Sequence, residues 1–170
     1  MLHQPIFIEG VIMKKTTHIL FTIYLFLVIW IILFKLSVSI DQLPHFRSIN
    51  LIPFYYPNKT TYQIKEVLEN MIIFIPFGLY LKTLNINSER TVFLGFLLSL
   101  SLELSQYIFG IGASDITDLI TNTIGVLVGV GLYYLLKKIF KENTNKIILA
   151  LATITTILII SLIVIILVNN

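Results

Sequence analysis

Ile116 to Leu136 reads ITDLITNTIGVLVGVGLYYLL, and two features of this stretch decide the fold. It runs for 21 residues with a single charge, Asp118. An apolar helix of about 20 residues, rising 1.5 Å per residue, crosses a hydrocarbon core of about 30 Å. The second feature is spacing. Asp115, Asp118, Asn122, Gly125 and Gly129 fall 3, 4, 3 and 4 residues apart, which is one unbroken stripe along a helix. Acids occupy one end of the stripe and small residues the rest, and small residues let a neighbouring helix approach closely. Lys137 and Lys138 close the run.

Working outward, runs of similar length recur at about 16–36, 67–84, 91–109 and 147–168. The first is longer than the core of a signal peptide and is followed by no small-x-small cleavage site, so it reads as a span. The second carries Pro76 and Gly78, which alter backbone hydrogen bonding and allow close packing. The expectation is an all-α integral membrane bundle of about five transmembrane helices. Between the first two lies an outer loop, 37–66, with Pro44, Pro53 and Pro57 and the aromatics Phe46, Phe54, Tyr55, Tyr56 and Tyr62. So many rings suit a segment lying on the headgroup zone or capping the bundle.

Composition agrees. Apolar residues make up 56% of the chain and charged residues 12%, against about 25% charged in soluble domains. With the N-terminus inside, the inner segments hold Lys14, Lys15, Lys82, Arg90, Lys137, Lys138, Lys141 and Lys146, and the outer ones Lys35, Arg47, Lys59 and Lys65. That bias places the N-terminus in the cytoplasm and the C-terminus outside. Residues 1–12 read as a leader ahead of a second start at Met13-Lys14-Lys15, the alternative being a short tail. Residues 13–136 form the membrane domain, and 137–170 a basic cytoplasmic loop and the fifth helix.

A net charge of +3 without a basic stripe excludes nucleic-acid binding. There are no cysteines, and His3, His18 and His45 lack ligand spacing, so no metal and no cofactor are expected.

Charge inside a span is costly, about 2.5–3.5 kcal/mol for a central acid on insertion scales. Glu103 is the clearest case, with Ser99 and Gln106 on its face of the third helix. It must be protonated, paired or hydrated. Asn70 lies in the first turn of the second helix, after Glu66 and Glu69. Asn70, Glu103, Gln106, Asp115, Asp118 and Asn122 therefore gather in the outer half of the bundle, on the side of the Arg47 loop. Against a functional reading, Asn70 and Asn122 also fit interhelical hydrogen-bond glue, Asp118 a helix cap, and Asp115 a solvated loop residue. Gln106, Asn122 and either Asp118 or Arg47 are the expected partners of Glu103, Arg47 because its fork suits a carboxylate.

These residues, in this order, resemble the VanZ-like membrane protein family. The matching segments are Arg47-Ser48-Ile49-Asn50-Leu51-Ile52-Pro53-Phe54, Asn70 followed by Phe74-Ile75-Pro76-Phe77-Gly78, Glu103-Leu104-Ser105-Gln106, and Asp115, Asp118, Asn122, Gly125 and Gly129. They cover about residues 14–136. Two positions depart from the family pattern: Glu69, where Gly often precedes the Asn, and Thr117, where a second acid often precedes the later Asp. The resemblance implies a bacterial membrane protein whose founding member accompanies glycopeptide resistance clusters and gives low-level teicoplanin resistance. No reaction is firmly attached to the family.

Three functions compete. The first is binding or shielding at the outer membrane face, with a membrane lipid, a lipid-linked envelope precursor or a lipoglycopeptide as partner. The second is an enzyme acting on a lipid or wall precursor, with Glu103 and Asp118 as acid and base; no nucleophile, metal site or Gly-rich phosphate loop accompanies them. The third is a small transporter, although no internal repeat is visible in the sequence.

Overall fold

The computed structural model describes residues 4–34, 46–55 and 60–169. In chain order the elements are α1 (Gln4–Phe34), β1 (Phe46–Asn50), α2 (Thr60–Thr83), α3 (Ser88–Phe109), β2 (Ile111–Asp115), α4 (Ile116–Phe140) and α5 (Thr144–Asn169). A single 3-10 turn, Lys141–Asn143, joins the last two. The architecture is all-α, as expected.

Local chemistry sets the ends. The Asn87 side chain accepts the Arg90 amide at 2.8 Å and starts α3. Gly110 ends α3 with φ +66°, a left-handed conformation that glycine adopts without strain. Asp115 starts α4 by accepting the Thr117 amide at 2.7 Å. Lys141, with φ +50°, breaks the helical path between α4 and α5, and Thr144 Oγ1 donates to the Lys141 carbonyl at 2.7 Å.

Among the described residues three stretches are long and apolar enough to cross a membrane: Glu9–Phe34, Ser88–Phe109 and Ile116–Ile165. The last spans 50 residues and takes in both α4 and α5. The expected second span, 67–84, forms most of α2 but does not qualify. Glu66, Glu69 and Lys82 fall within that helix. The first helix also begins well before residue 16, and Glu9 in it pairs with Lys146 of α5 at 2.5 Å.

α2 and α4 touch backbone to backbone. A Cβ at Gly125 would overlap the Met71 carbonyl oxygen, one at Gly129 the Ile75 carbonyl oxygen, and one at Gly78 would lie 2.9 Å from the Val130 nitrogen. Lipid tails are as apolar as leucine, so within a bilayer such close contact holds helices together better than apolar burial does. Around this seam packs a core of Val28, Phe74, Phe77, Leu81, Leu102 and Val126. Gly95 of α3 receives the Val126 side chain, a contact the sequence reading missed. Phe21 stacks among Tyr24, Phe77 and Tyr80, and the Tyr24 hydroxyl donates to the Ile73 carbonyl at 2.8 Å. Large apolar side chains such as Ile19, Phe26, Phe93 and Leu158 face outward, as a lipid-facing surface requires.

The sequence reading did not foresee the ladder. β1 and β2 pair in parallel, with Phe46 opposite Ile111 and Asn50 opposite Asp115. What was read as a loop is thus partly strand, and it closes one end of the bundle. At the opposite end Lys82 is buried, donating to the Ile86 carbonyl at 2.9 Å with the Tyr134 ring 5.1 Å away.

Candidate functional site

The site draws residues from six elements, α1 to α4 and both strands of the ladder. Asn50, last in β1, donates through Nδ2 to Asp115 Oδ2 at 3.0 Å. Its Oδ1 accepts the Ile52 amide at 3.2 Å, turning the chain back over the site. Phe54, with φ +56°, donates its amide to Thr117 Oγ1 at 3.0 Å. Thr117 is fully buried. At this position, noted for lacking the family's acid, a hydroxyl holds the turn after β1.

Asp115 is therefore no idle loop residue. One carboxylate oxygen caps α4, the other takes Asn50, and its amide donates to Glu103 Oε2 at 2.8 Å. Glu103 is 3% exposed, and the Ser114 hydroxyl hydrogen-bonds the same carboxyl. The expected partner Arg47 is not used. The ladder register sets Arg47 opposite Gly112, and its guanidinium donates to the Ile108 carbonyl at 3.1 Å, lying against Gly110. Among the described residues no carboxylate forms an ion pair with Arg47. Glu103 meets a backbone amide instead.

Asp118, one turn into α4, accepts Asn70 Nδ2 at 2.7 Å, which ties the start of α2 to α4. Deeper along the stripe Asn122 donates to Ser99 Oγ at 2.9 Å. Gln106 donates through Nε2 to the Ile32 carbonyl of α1 at 3.0 Å. Gln106 Oε1 and Asn122 Oδ1 are buried with no hydrogen-bond partner among the described residues. Pro76, Gly78, Gly125 and Gly129 lie below this layer, in or beside the α2–α4 contact.

Above the layer opens a cleft of about 880 Å³. Its walls include Asn50, Asn70, Gln106, Asp115 and Asp118, with Glu66 and Glu69 on the α2 side and Ile31, Ile32, Phe46, Ile72 and Ile73 as the apolar face. Glu103 stands behind the cleft, not in its lining. The sequence reading centred the site on this residue. Glu103 supports Asp115, while Asp118, Asn70 and the largely buried Gln106 line the cleft. No cluster of potential metal ligands occurs among the described residues.

A model of the VanZ/LLP1 family matches residues 21–137. Against Protein VanZ of Enterococcus faecium the chain is 45% identical over 126 residues, which cover 70% of this chain and 74% of that one. No solved structure matches. The matched region runs from within α1 to Lys137 in the last turn of α4 and takes in every side chain of the site described in this section. With this extent of match and this identity, the chain belongs to the VanZ/LLP1 family.

Proposed function

We propose that this protein acts at the outer face of a bacterial cytoplasmic membrane, where it lowers susceptibility to lipid-anchored glycopeptides of the teicoplanin type. It does so by binding or shielding the anchored drug or an envelope precursor. The observation that carries the reading is the cleft. It is open, lined by both apolar and polar side chains, and it stands at the end of the bundle away from Lys82, Lys137, Lys138 and Lys146. An amphiphile held in a membrane meets a surface of that kind. The placement of Glu103 favours binding over acid–base catalysis, because this carboxyl is engaged by the Asp115 amide and lies outside the cleft lining.

The orientation belongs to the same proposal. Lys82, Arg90, Lys137, Lys138 and Lys146 share the end away from the cleft, so that end is cytoplasmic by the positive-inside bias. The chain has no native cysteine, so single substitutions report cleanly. In intact cells an impermeant maleimide labels Leu51→Cys, at a position 72% exposed beside the cleft, and leaves Lys141→Cys unlabelled. The reverse pattern overturns the orientation.

Susceptibility tests the function. Expression in a glycopeptide-sensitive Gram-positive host raises the inhibitory concentration of teicoplanin and leaves that of vancomycin, which lacks an acyl anchor, near its starting value. A strain in which neither value moves ends the resistance reading.

A further inference from the structure

A second cavity, of about 390 Å³, lies between α1, α2 and α5, with Leu136 of α4 also in its wall. Leu27, Pro76 and Ala152 are typical of the lining, and no charged side chain joins them among the described residues. Along α5 the slot extends from Ile148 to Ile159, about 16 Å at 1.5 Å per residue. One leaflet of a hydrocarbon core is about 15 Å deep, so the slot matches the length of a single leaflet's chains. Leu151 and Thr155 line the slot and are exposed, so it opens sideways where lipid stands.

The end of the slot away from the cleft is basic. Tyr80, Leu136 and Ile148 line it, and each stands within two residues of a lysine: Lys82 on α2, Lys137 and Lys138 on α4, and Lys146 on α5. Lys141 lies in the turn between α4 and α5. Lys146 pairs with Glu9. Lys137, Lys138 and Lys141 are exposed and form no ion pair among the described residues. Lys82 is buried, and its ammonium meets the Ile86 carbonyl, the Ser88 hydroxyl and the Tyr134 ring but no carboxylate. Glu89 and Glu142, the other acids at this end, offset only part of the charge. Basic residues between membrane helices complement an anionic head group.

We propose that the slot holds one acyl chain of an anionic phospholipid of the cytoplasmic leaflet, whose phosphate stands among Lys137, Lys138 and Lys141. Charge at the mouth selects the anionic head group, and the length of the slot selects a chain of one leaflet. The site is distinct from the cleft and its ligand; it takes only the choice of leaflet from the orientation proposed above. The family match ends at residue 137, so the α5 wall and Lys138, Lys141 and Lys146 lie beyond it. A chain seated there fills the space between α5 and the α1–α2 pair, so the lipid holds the last helix to the bundle.

The test uses the full chain in detergent micelles, titrated with dioleoylphosphatidylglycerol and read by native mass spectrometry. One lipid binds per protein, and dioleoylphosphatidylcholine, whose head group has no net charge, binds about tenfold more weakly. Glycerol phosphate, which lacks the chains, does not bind. The triple variant Lys137→Gln, Lys138→Gln and Lys141→Gln changes only exposed side chains and so retains the fold. It lowers phosphatidylglycerol affinity about tenfold at low salt and less at high salt, and leaves that of phosphatidylcholine unchanged. Ala152→Trp fills the slot and weakens both lipids, whereas Ala150→Trp, exposed on the same helix and outside the lining, weakens neither. Equal affinity for the two lipids, unchanged phosphatidylglycerol binding in the lysine variant, or a protein dimer in place of the lipid adduct overturns the inference. A protein that shifts teicoplanin susceptibility yet binds no phosphatidylglycerol loses this inference and keeps the proposed function; the opposite pair of results does the reverse.

Discussion

Gly129→Leu removes folded protein from the membrane fraction, while Gly131→Leu, two residues along the same helix, leaves its level unchanged. A side chain at Gly131 enters open space. At Gly129 its first carbon overlaps the Ile75 carbonyl oxygen and lies 3.1 Å from Gly78 Cα. These are backbone atoms and cannot swing aside like the end of a flexible side chain. α2 and α4 must part along the whole seam, which also loosens Gly125 from Met71 and Asn70 from Asp118. Overpacking a core commonly costs about 1–3 kcal/mol, and separating two helices exceeds that range. Fluorescence-detected size exclusion of a tagged protein reads the outcome. A symmetric peak at wild-type height for Gly129→Leu contradicts the packing described here.

On the proposed function, Glu103→Ala abolishes protection against teicoplanin, and Glu103→Gln retains most of it. Alanine leaves the partly buried Asp115 amide without its acceptor, at a cost of up to about 1–3 kcal/mol. The strain falls on the residue that caps α4 and orders Asn50. Glutamine keeps an acceptor at the same reach and so preserves the cleft. The two substitutions separate positioning from chemistry, because a general acid or base fails equally in both. Inhibitory concentrations measured at matched protein levels decide the matter. Equal loss in both variants restores the catalytic reading of Glu103.

The helices were legible because each requirement for one is local. Apolar runs of about 20 residues locate the helices without reference to the rest of the chain. The 3, 4, 3, 4 spacing from Asp115 to Gly129 likewise predicts one buried face, and that face packs on α2. The ladder was not legible. Each strand has five residues, and β1 shows no alternation of exposure that could announce it. An isolated two-stranded pair is marginal, so this one exists because helices hold both of its ends. Missing the ladder produced the error at Arg47. From sequence alone a guanidinium and a buried carboxylate on the same side of the membrane form an obvious pair, and only the register opposite Gly112 directs Arg47 elsewhere. The free acceptor on Gln106 had no sequence signal, because it depends on which side-chain nitrogen meets a carbonyl of α1.

The hydrogen bonds that close the site join residues far apart in synthesis. Asn50 reaches 65 residues ahead to Asp115, Phe54 reaches 63 to Thr117, and Asn70 reaches 48 to Asp118. Every one of them waits for the start of α4. A nascent chain that has inserted α1, α2 and α3 still holds Asn70 and Glu103 without the partners that neutralise their polarity, and the lipid offers none. Long-range pairing of this kind is slow to form. Assembly of the cleft therefore waits for the start of α4, and a chain stalled or truncated before Asp118 presents the membrane's quality-control proteases with bare polar groups in place of a weakened binding site.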